Sequence, residues 1–137
     1  MTPKKKENPK ADTQKPVPKK TGKKILIVED ERPLAHALEL KFTHEGYDVT
    51  IATDGAEALK IANAGSFVMI LLDLIMPNLD GFGFLEKMKK KTPVIVLSNL
   101  GQDEDKERAK SLGAAGYFVK SNTPITEIIA KVKSLIK

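Results

Sequence analysis

A chain of 137 residues without cysteine is long enough to bury a core of its own, and it excludes disulfides and thiolate metal sites. The longest apolar run, Phe67 to Leu72, is six residues, too short to cross a bilayer, and no apolar stretch follows the basic N-terminus as in a secretory signal. A cytoplasmic location is therefore expected. The net charge of +5 hides an asymmetry: residues 1–24 carry nine lysines against Glu7 and Asp12, while residues 25–137 carry 14 basic and 16 acidic side chains. A slightly acidic body suits a cation better than a nucleic acid, so no nucleic acid binding by the folded part is expected.

Residues 1–22 contain Pro3, Pro9, Pro16 and Pro18 among many lysines, with Val17 the only large aliphatic. Such a segment buries too little apolar surface to offset its ordering entropy, so residues 1–23 are expected to form a disordered basic tail. It reads either as a solubilising leader or as an electrostatic attachment to an acidic partner, an anionic lipid surface or nucleic acid, the last disfavoured because no aromatic residues are interleaved to stack on bases. A body over 24–137 then alternates short apolar runs with amphipathic stretches. Ile25 to Val28 predicts a strand ending in Glu29, Asp30 and Glu31. Leu34, Leu38 and Phe42 share one helix face, and Gly46 is its stop. A second strand, 49–52, leads to Asp54 and Glu57, spaced as a capping box, before a helix with Ala58, Leu59 and Ala62 on one face. The run 67–72 ends in Asp73. Phe84, Leu85 and Met88 mark a third helix, and strand 94–97 ends in Ser98. A helix near 102–113 is mostly charged, with only Ala109 and Leu112 facing inward, and is predicted to be the least firmly docked. Strand 116–119 ends in Lys120. Pro124 after Thr123 then opens, as a first-turn proline, a helix in which Ile125, Ile128, Ile129, Val132, Leu135 and Ile136 follow the i, i+3, i+4, i+7 rule.

Five strands alternating with five helices predict an α/β fold with a parallel sheet covered on both faces and right-handed crossovers. No internal repeat or second domain is visible, and the chain is expected to act without an appended output module.

Open parallel sheets place their chemistry at the carboxyl ends of the strands. Here four such ends supply carboxylates (Glu29, Asp30, Asp73), a hydroxyl (Ser98) and an ammonium (Lys120). Each has an ordinary reading on its own. Acids favour helix N-termini, Asp before Pro is a turn signal, a hydroxyl caps loops, and a strand-end lysine is usually solvated. Together they suit phosphorylation of an aspartate. Charge on the transferred phosphoryl oxygens makes positioning and cation electrostatics the main requirements. Mg²⁺ takes hard oxygen ligands, typically one or two carboxylates with phosphate and water, and Glu29, Asp30 and Asp73 offer them. Lys120 can pair with one phosphoryl oxygen and Ser98 can hydrogen-bond another. His36 and His44 lack a partner at metal-ligand spacing. Gly22-Lys23-Lys24 lacks the spacing of a phosphate-binding loop. Met69, Met76 and Met88 read as packing.

Residues 24–137 resemble a bacterial response-regulator receiver domain. The likeness is carried by Ile25-Leu26-Ile27-Val28-Glu29-Asp30, Leu72-Asp73-Leu74-Ile75-Met76-Pro77-Asn78-Leu79-Asp80-Gly81, Val94-Ile95-Val96-Leu97-Ser98, and Gly113-Ala114-Ala115-Gly116-Tyr117-Phe118-Val119-Lys120. The resemblance implies a flavodoxin-like (βα)5 doubly wound fold with a five-stranded parallel sheet in the order 2-1-3-4-5. It implies that Asp73 is the phosphoacceptor for a histidine kinase or phosphotransfer protein. Mg²⁺ would be bound by Asp30, Asp73 and the main-chain carbonyl of Ile75, with Glu29 acting through water. Ser98 and Tyr117 would be the switch residues, Lys120 would pair with the phosphate, and the surface of the fourth helix, fifth strand and fifth helix would change its downstream protein target. The resemblance also implies a monomer or a phosphorylation-dependent dimer, and no enzymatic turnover beyond self-catalysed phosphoryl acceptance and loss. Three positions depart from the common pattern. Ser121 stands where a cis-joined proline is frequent, Asn99 where a small residue is, and Glu29 where Asp is commoner. Two other classes share these residues: an interaction module that never uses its site, and a small aspartyl-phosphate phosphohydrolase, for which Asp73-Leu74-Ile75 lacks a second carboxylate. A DNA-binding regulator is the least expected, for want of a helix-turn-helix segment after the receiver-like residues.

Overall fold

The computed structural model of the chain describes residues 20–136, so the expected disorder of the tail over residues 1–19 lies outside the described residues. The order is β1 (Lys24–Val28), α1 (Arg32–His44), β2 (Asp48–Ala52), α2 (Gly55–Ala64), β3 (Met69–Leu72), α3 (Gly81–Lys87), β4 (Val94–Ser98), α4 (Asp103–Ser111), β5 (Gly116–Val119), a 3-10 turn (Lys120–Asn122) and α5 (Ile125–Leu135). The strands form one sheet in the order β2-β1-β3-β4-β5, and every neighbouring pair is parallel. Ahead of β1, the N–H and hydroxyl of Thr21 both donate to the Gly46 carbonyl, at 2.9 and 3.0 Å.

Side chains alternate across a strand, and that period divides the core in two. Ile25, Ile27, Met69, Leu71, Ile95 and Leu97 point to one face, where they meet Ala35, Leu38 and Phe42 of α1 and Ile128 and Val132 of α5. Leu26, Val28, Ile70, Leu72, Val94 and Val96 point to the other and meet Ala58, Ala62, Phe82, Phe84, Leu85 and Ala109 of α2, α3 and α4. The three inner strands are buried on both faces, which is why they read as unbroken apolar runs. The expected strand 67–72 begins two residues later, at Met69, with Phe67 and Val68 half-buried beside it.

The helix ends follow local chemistry. Asp54 accepts the N–H groups of Ala56 and Glu57 at 2.8 and 3.0 Å and so caps α2. Gly46 takes φ +97° after α1, a left-handed conformation that favours glycine. Pro124 sits one position before its expected place: it is the N-cap of α5, and the helix starts at Ile125. In α4 the only buried residue is Ala109, and Leu112 packs against the core just beyond it.

Gly55, the first residue of α2, has no room for a side chain. A Cβ there would lie 1.7 Å from the Leu79 carbonyl oxygen, and the Gly55 N–H donates to the Pro77 carbonyl at 3.1 Å. Gly55→Ala must push apart α2 and the loop that follows β3. Overpacking of this kind costs about 1–3 kcal/mol, so a urea midpoint below that of the parent with an unchanged slope is expected.

Candidate functional site

The sheet register sets the site. Val28 pairs with Leu72, and the Asp73 N–H donates to the Val28 carbonyl at 2.9 Å, so Glu29 and Asp73 leave the sheet side by side. Leu72 pairs with Val96, which places Ser98 two residues further along β4, and Ser98 pairs with Val119, one residue before Lys120. Four strands therefore bring Glu29, Asp73, Ser98 and Lys120 to one end of the sheet.

Lys120 organises that end. Its Nζ lies 2.8 Å from Glu29 Oε1 and 3.0 Å from Oε2, 3.0 Å from Asp73 Oδ2, and 2.7 Å from Glu31 Oε2. The Lys120, Glu29 and Asp73 side chains are 7%, 2% and 6% exposed, whereas Glu31 is 55% exposed. Burial works against the Lys120 ammonium, but hydrogen bonds to Glu29, Glu31 and Asp73 outweigh it and hold its pKa above the usual lysine range. Burial pushes the Glu29 carboxyl up, against the opposing pull of Lys120 and of the Glu31 N–H, which donates to Glu29 Oε2 at 2.9 Å. Asp73 is held at both oxygens, since Oδ1 accepts the Ile75 N–H at 3.2 Å.

Glu29, Asp30 and Asp73 each offer a carboxylate oxygen, and these atoms lie within 4.8 Å of one another. An all-oxygen donor set with one exposed member, Asp30, fits a hard divalent cation such as Mg²⁺. Both oxygens of Glu29 contact Lys120, and those of Asp73 contact Lys120 and the Ile75 N–H, so the exposed Asp30 is the most available direct ligand.

Ser98 is fully buried, and its Oγ accepts the Leu100 N–H at 3.3 Å. The half-buried Tyr117 donates its hydroxyl to the Leu100 carbonyl. Ile75, the third residue of the loop after β3, is 57% exposed, whereas Leu100 packs against the core. Among the described residues no peptide bond is cis, so the bond between Lys120 and Ser121 is trans, and the chain leaves it directly in the 3-10 turn, where the Thr123 hydroxyl donates to the Val119 carbonyl at 2.9 Å. His36 is exposed, with Glu39 3.6 Å away on the same helix face.

Sequence reasoning passed over two features. One is Glu31, whose contact to Lys120 nothing in the sequence around it signals. The other is a tie between α2 and the loop after Asp73: Asn78 donates its side-chain amide to Asp54 Oδ2, next to the close approach of Gly55 and Leu79. Asn78 holds φ +69°, a region that Asn tolerates better than most residues. Its place three residues before the helix-opening Gly81 was the available signal.

Residues 25–133 match the family model of the response regulator receiver domain. The chain belongs to this family. The probable transcriptional regulator ycf27 of Cyanophora paradoxa is 38% identical over 117 residues, covering 84% of this chain and 48% of that protein. Response regulator ArlR of Staphylococcus saprophyticus is 37% identical over 116 residues, covering 83% and 52%. The chain thus spans about half the length of the curated relatives it matches. Among solved structures, the receiver domain of Francisella response regulator 1452 superposes with a TM-score of 0.78 at 36% identity, covering 84% of this chain and 97% of that one. The chemotaxis protein CheY4 of Vibrio cholerae gives 0.75 at 28%, covering 84% and 99%. The fold is therefore the flavodoxin-like receiver fold, and the protein carries a receiver domain of two-component signalling.

In this receiver the charge balance depends on one cation side chain. Lys120→Met leaves Glu29 and Asp73 buried together without a counter-charge. The expected cost at pH 7 is about 3 kcal/mol, the low end for a broken buried pair because the site opens to water at Glu31. Loss of the ammonium raises the folded-state pKa of Glu29 further above its unfolded value. The folded variant then binds more protons than the unfolded chain, and the deficit shrinks as pH falls from 7 through that raised pKa. Urea unfolding of parent and variant at pH 7 and pH 5 should show a smaller gap at pH 5.

Proposed function

We propose that Asp73 accepts a phosphoryl group from a phosphohistidine on a histidine kinase or phosphotransfer protein, and that the resulting acyl phosphate changes a protein-interaction surface formed by α4, β5 and α5. The observation that carries this reading is the placement of the Lys120 ammonium 3.0 Å from Asp73 Oδ2, beside carboxylates that fit a divalent cation. An Asp73 carboxylate oxygen forms the new bond to phosphorus while the bond from phosphorus to the donor nitrogen breaks, and the donor leaves as imidazole. Asp73 is oriented for this by the Ile75 N–H at Oδ1. Lys120 lies where charge gathers on the phosphoryl oxygens. When bound by Asp30, Asp73 and the Ile75 carbonyl, with Glu29 acting through water, Mg²⁺ supplies further neutralisation of those oxygens.

The buried Ser98 hydroxyl and Tyr117 connect the site to the proposed surface. A hydrogen bond from Ser98 to the phosphoryl group draws the 98–101 loop toward Asp73. That loop also holds the Leu100 carbonyl to which Tyr117 donates. A shift there biases the position of α4. No catalytic turnover of an external substrate is proposed, and the chemistry is self-modification in the cytoplasm. Relatives named as transcriptional regulators are about twice as long as the matched region, so any DNA-directed output of this protein would lie outside the receiver. No acid/base carboxylate stands two residues after Asp73, where Ile75 is found, which disfavours a phosphohydrolase.

Intact mass after incubation with acetyl phosphate and Mg²⁺ tests the reading. The parent should gain one phosphoryl group, and Asp73→Asn should gain none. Asp30→Ala, or excess chelator, should suppress the gain while leaving the urea midpoint near that of the parent. Equal modification of the parent and Asp73→Asn would refute the assignment.

The lifetime of the acyl phosphate follows from the same loop. Exposed Ile75 stands two residues after Asp73 and offers no hydrogen bond to an attacking water, and Leu100 is also apolar. Slow self-dephosphorylation is therefore expected. The double variant Ile75→Asn with Leu100→Glu should lose its phosphoryl group faster than the parent, followed by mass. Decay no faster than the parent's would place the limiting step elsewhere.

A further inference from the structure

The acidic cluster able to hold a cation comprises Glu29, Asp30 and Asp73, and Glu31 is outside it. Glu31 nevertheless makes the shortest contact to Lys120, at 2.7 Å. An ammonium has three N–H bonds, and here the carboxylates of Glu29, Asp73 and Glu31 share them. An anion added at Asp73 can engage Lys120 only if one of these contacts yields. Glu29 is buried and additionally fixed by the Glu31 N–H, and Asp73 is the group being modified. Glu31 is more than half exposed, so water replaces its lost partner at little cost. Local structure points the same way. Glu31 is the N-cap residue of α1, yet its side chain makes no capping bond, so its carboxylate is left to Lys120.

Resting on the phosphoacceptor reading of Asp73, we propose that Glu31 is a positioning residue: it holds Lys120 over the unmodified site and competes with a phosphoryl-like anion for that ammonium. Glu31 thereby sets how readily the receiver takes up and keeps its modification, without binding the metal or the phosphoryl group itself. A shorter acid at the same position keeps the charge but not the reach. Aspartate is also a preferred N-cap, and the Leu34 N–H is the available acceptor-seeking group in the first turn, because the second helical residue is Pro33 and has none. Aspartate there should turn to α1 and release Lys120.

The test is Mg²⁺-dependent binding of beryllofluoride, a phosphoryl mimic, to the full chain and to Glu31→Gln and Glu31→Asp. Both variants should bind about two- to fivefold more tightly than the parent, the range set by the loss of one exposed ion pair. In the unligated chain, the side-chain ammonium resonance of Lys120 should broaden in both variants through faster proton exchange, a readout that a purely structural role would not move. Tightening in Glu31→Gln alone would mean that the charge acts through space, and would overturn the competition. Unchanged affinity in both would overturn it as well. If the parent shows no Mg²⁺-dependent binding, or if Asp73→Asn binds as the parent does, the phosphoacceptor reading itself fails. Mg²⁺-dependent binding by the parent and not by Asp73→Asn keeps that reading intact, so unchanged affinity in the Glu31 variants then counts against Glu31 alone.

Discussion

Everything at the functional end of this receiver depends on keeping two buried carboxylates beside each other. Glu29 leaves β1 and Asp73 leaves the adjacent β3, both nearly excluded from water. Like charges at that range are costly unless a cation joins them. The cation that the chain provides is Lys120, and it comes from β5, two strand positions away from β3 in the sheet. At about 4.8 Å between strands, Asp73 is roughly 10 Å from the β5 backbone. Only a long side chain laid across the end of β4 reaches it, and Ser98 stands at that end. The ion pairs thus tie β1, β3 and β5 together above the sheet, and any anion arriving at Asp73 meets a lysine that is already in place.

The loop that carries Asp73 forward is held from a different direction. Asp54 serves α2 with one oxygen, as its cap, and Asn78 with the other. Gly55 brings the α2 backbone against Leu79 so closely that no side chain fits. Gly81 does the same on the near side, where a Cβ would lie 2.6 Å from Leu74 Cα and 2.8 Å from the Asp73 carbonyl oxygen. Residues 74–80 are therefore bounded by close backbone contacts at both ends. Such a loop can present a main-chain carbonyl to a metal with little conformational freedom left to lose.

Much of this was legible in the sequence because the strands carry so strong a signal. Runs such as Ile25 to Val28, apolar at every position, belong to the three inner strands covered on both sides, and with two edge runs and helix-length segments between them they leave few topologies. The site was legible for the same reason, since Glu29, Asp73, Ser98 and Lys120 each directly follow a run. Register then does what sequence cannot state: the pairings of Val28 with Leu72 and of Ser98 with Val119 convert four strand ends into one cluster. What was missed depends on partners distant in sequence. Glu31 lies 89 residues from Lys120, and Asp54 lies 24 from Asn78, and nothing in the local pattern around either residue names its partner. The one-residue displacement of Pro124 has a local cause. Proline's fixed φ suits either the N-cap or the first helical turn, and the sequence does not choose between them.

The α-helix that buries the fewest residues follows the loop that carries Leu100, and its composition explains how it stays helical there. Among the described residues α4 buries only Ala109, and a cation–π contact from Arg108 to the Phe82 ring, 4.1 Å from its centroid, ties it sideways to α3. Packing alone would leave so polar a helix marginal. Its charges supply local support instead. Asp103, Glu104 and Asp105 fill the first turn, and Arg108 and Lys110 the last, each sign opposing the helix dipole. A helix stabilised from within does not need a fixed seat on the sheet to persist. Under the proposed movement of the 98–101 loop, few apolar contacts would have to break for it to shift as a unit, and its internal hydrogen bonds would remain. In the proposed switch, the Tyr117 hydroxyl on the Leu100 carbonyl would link the site to this helix.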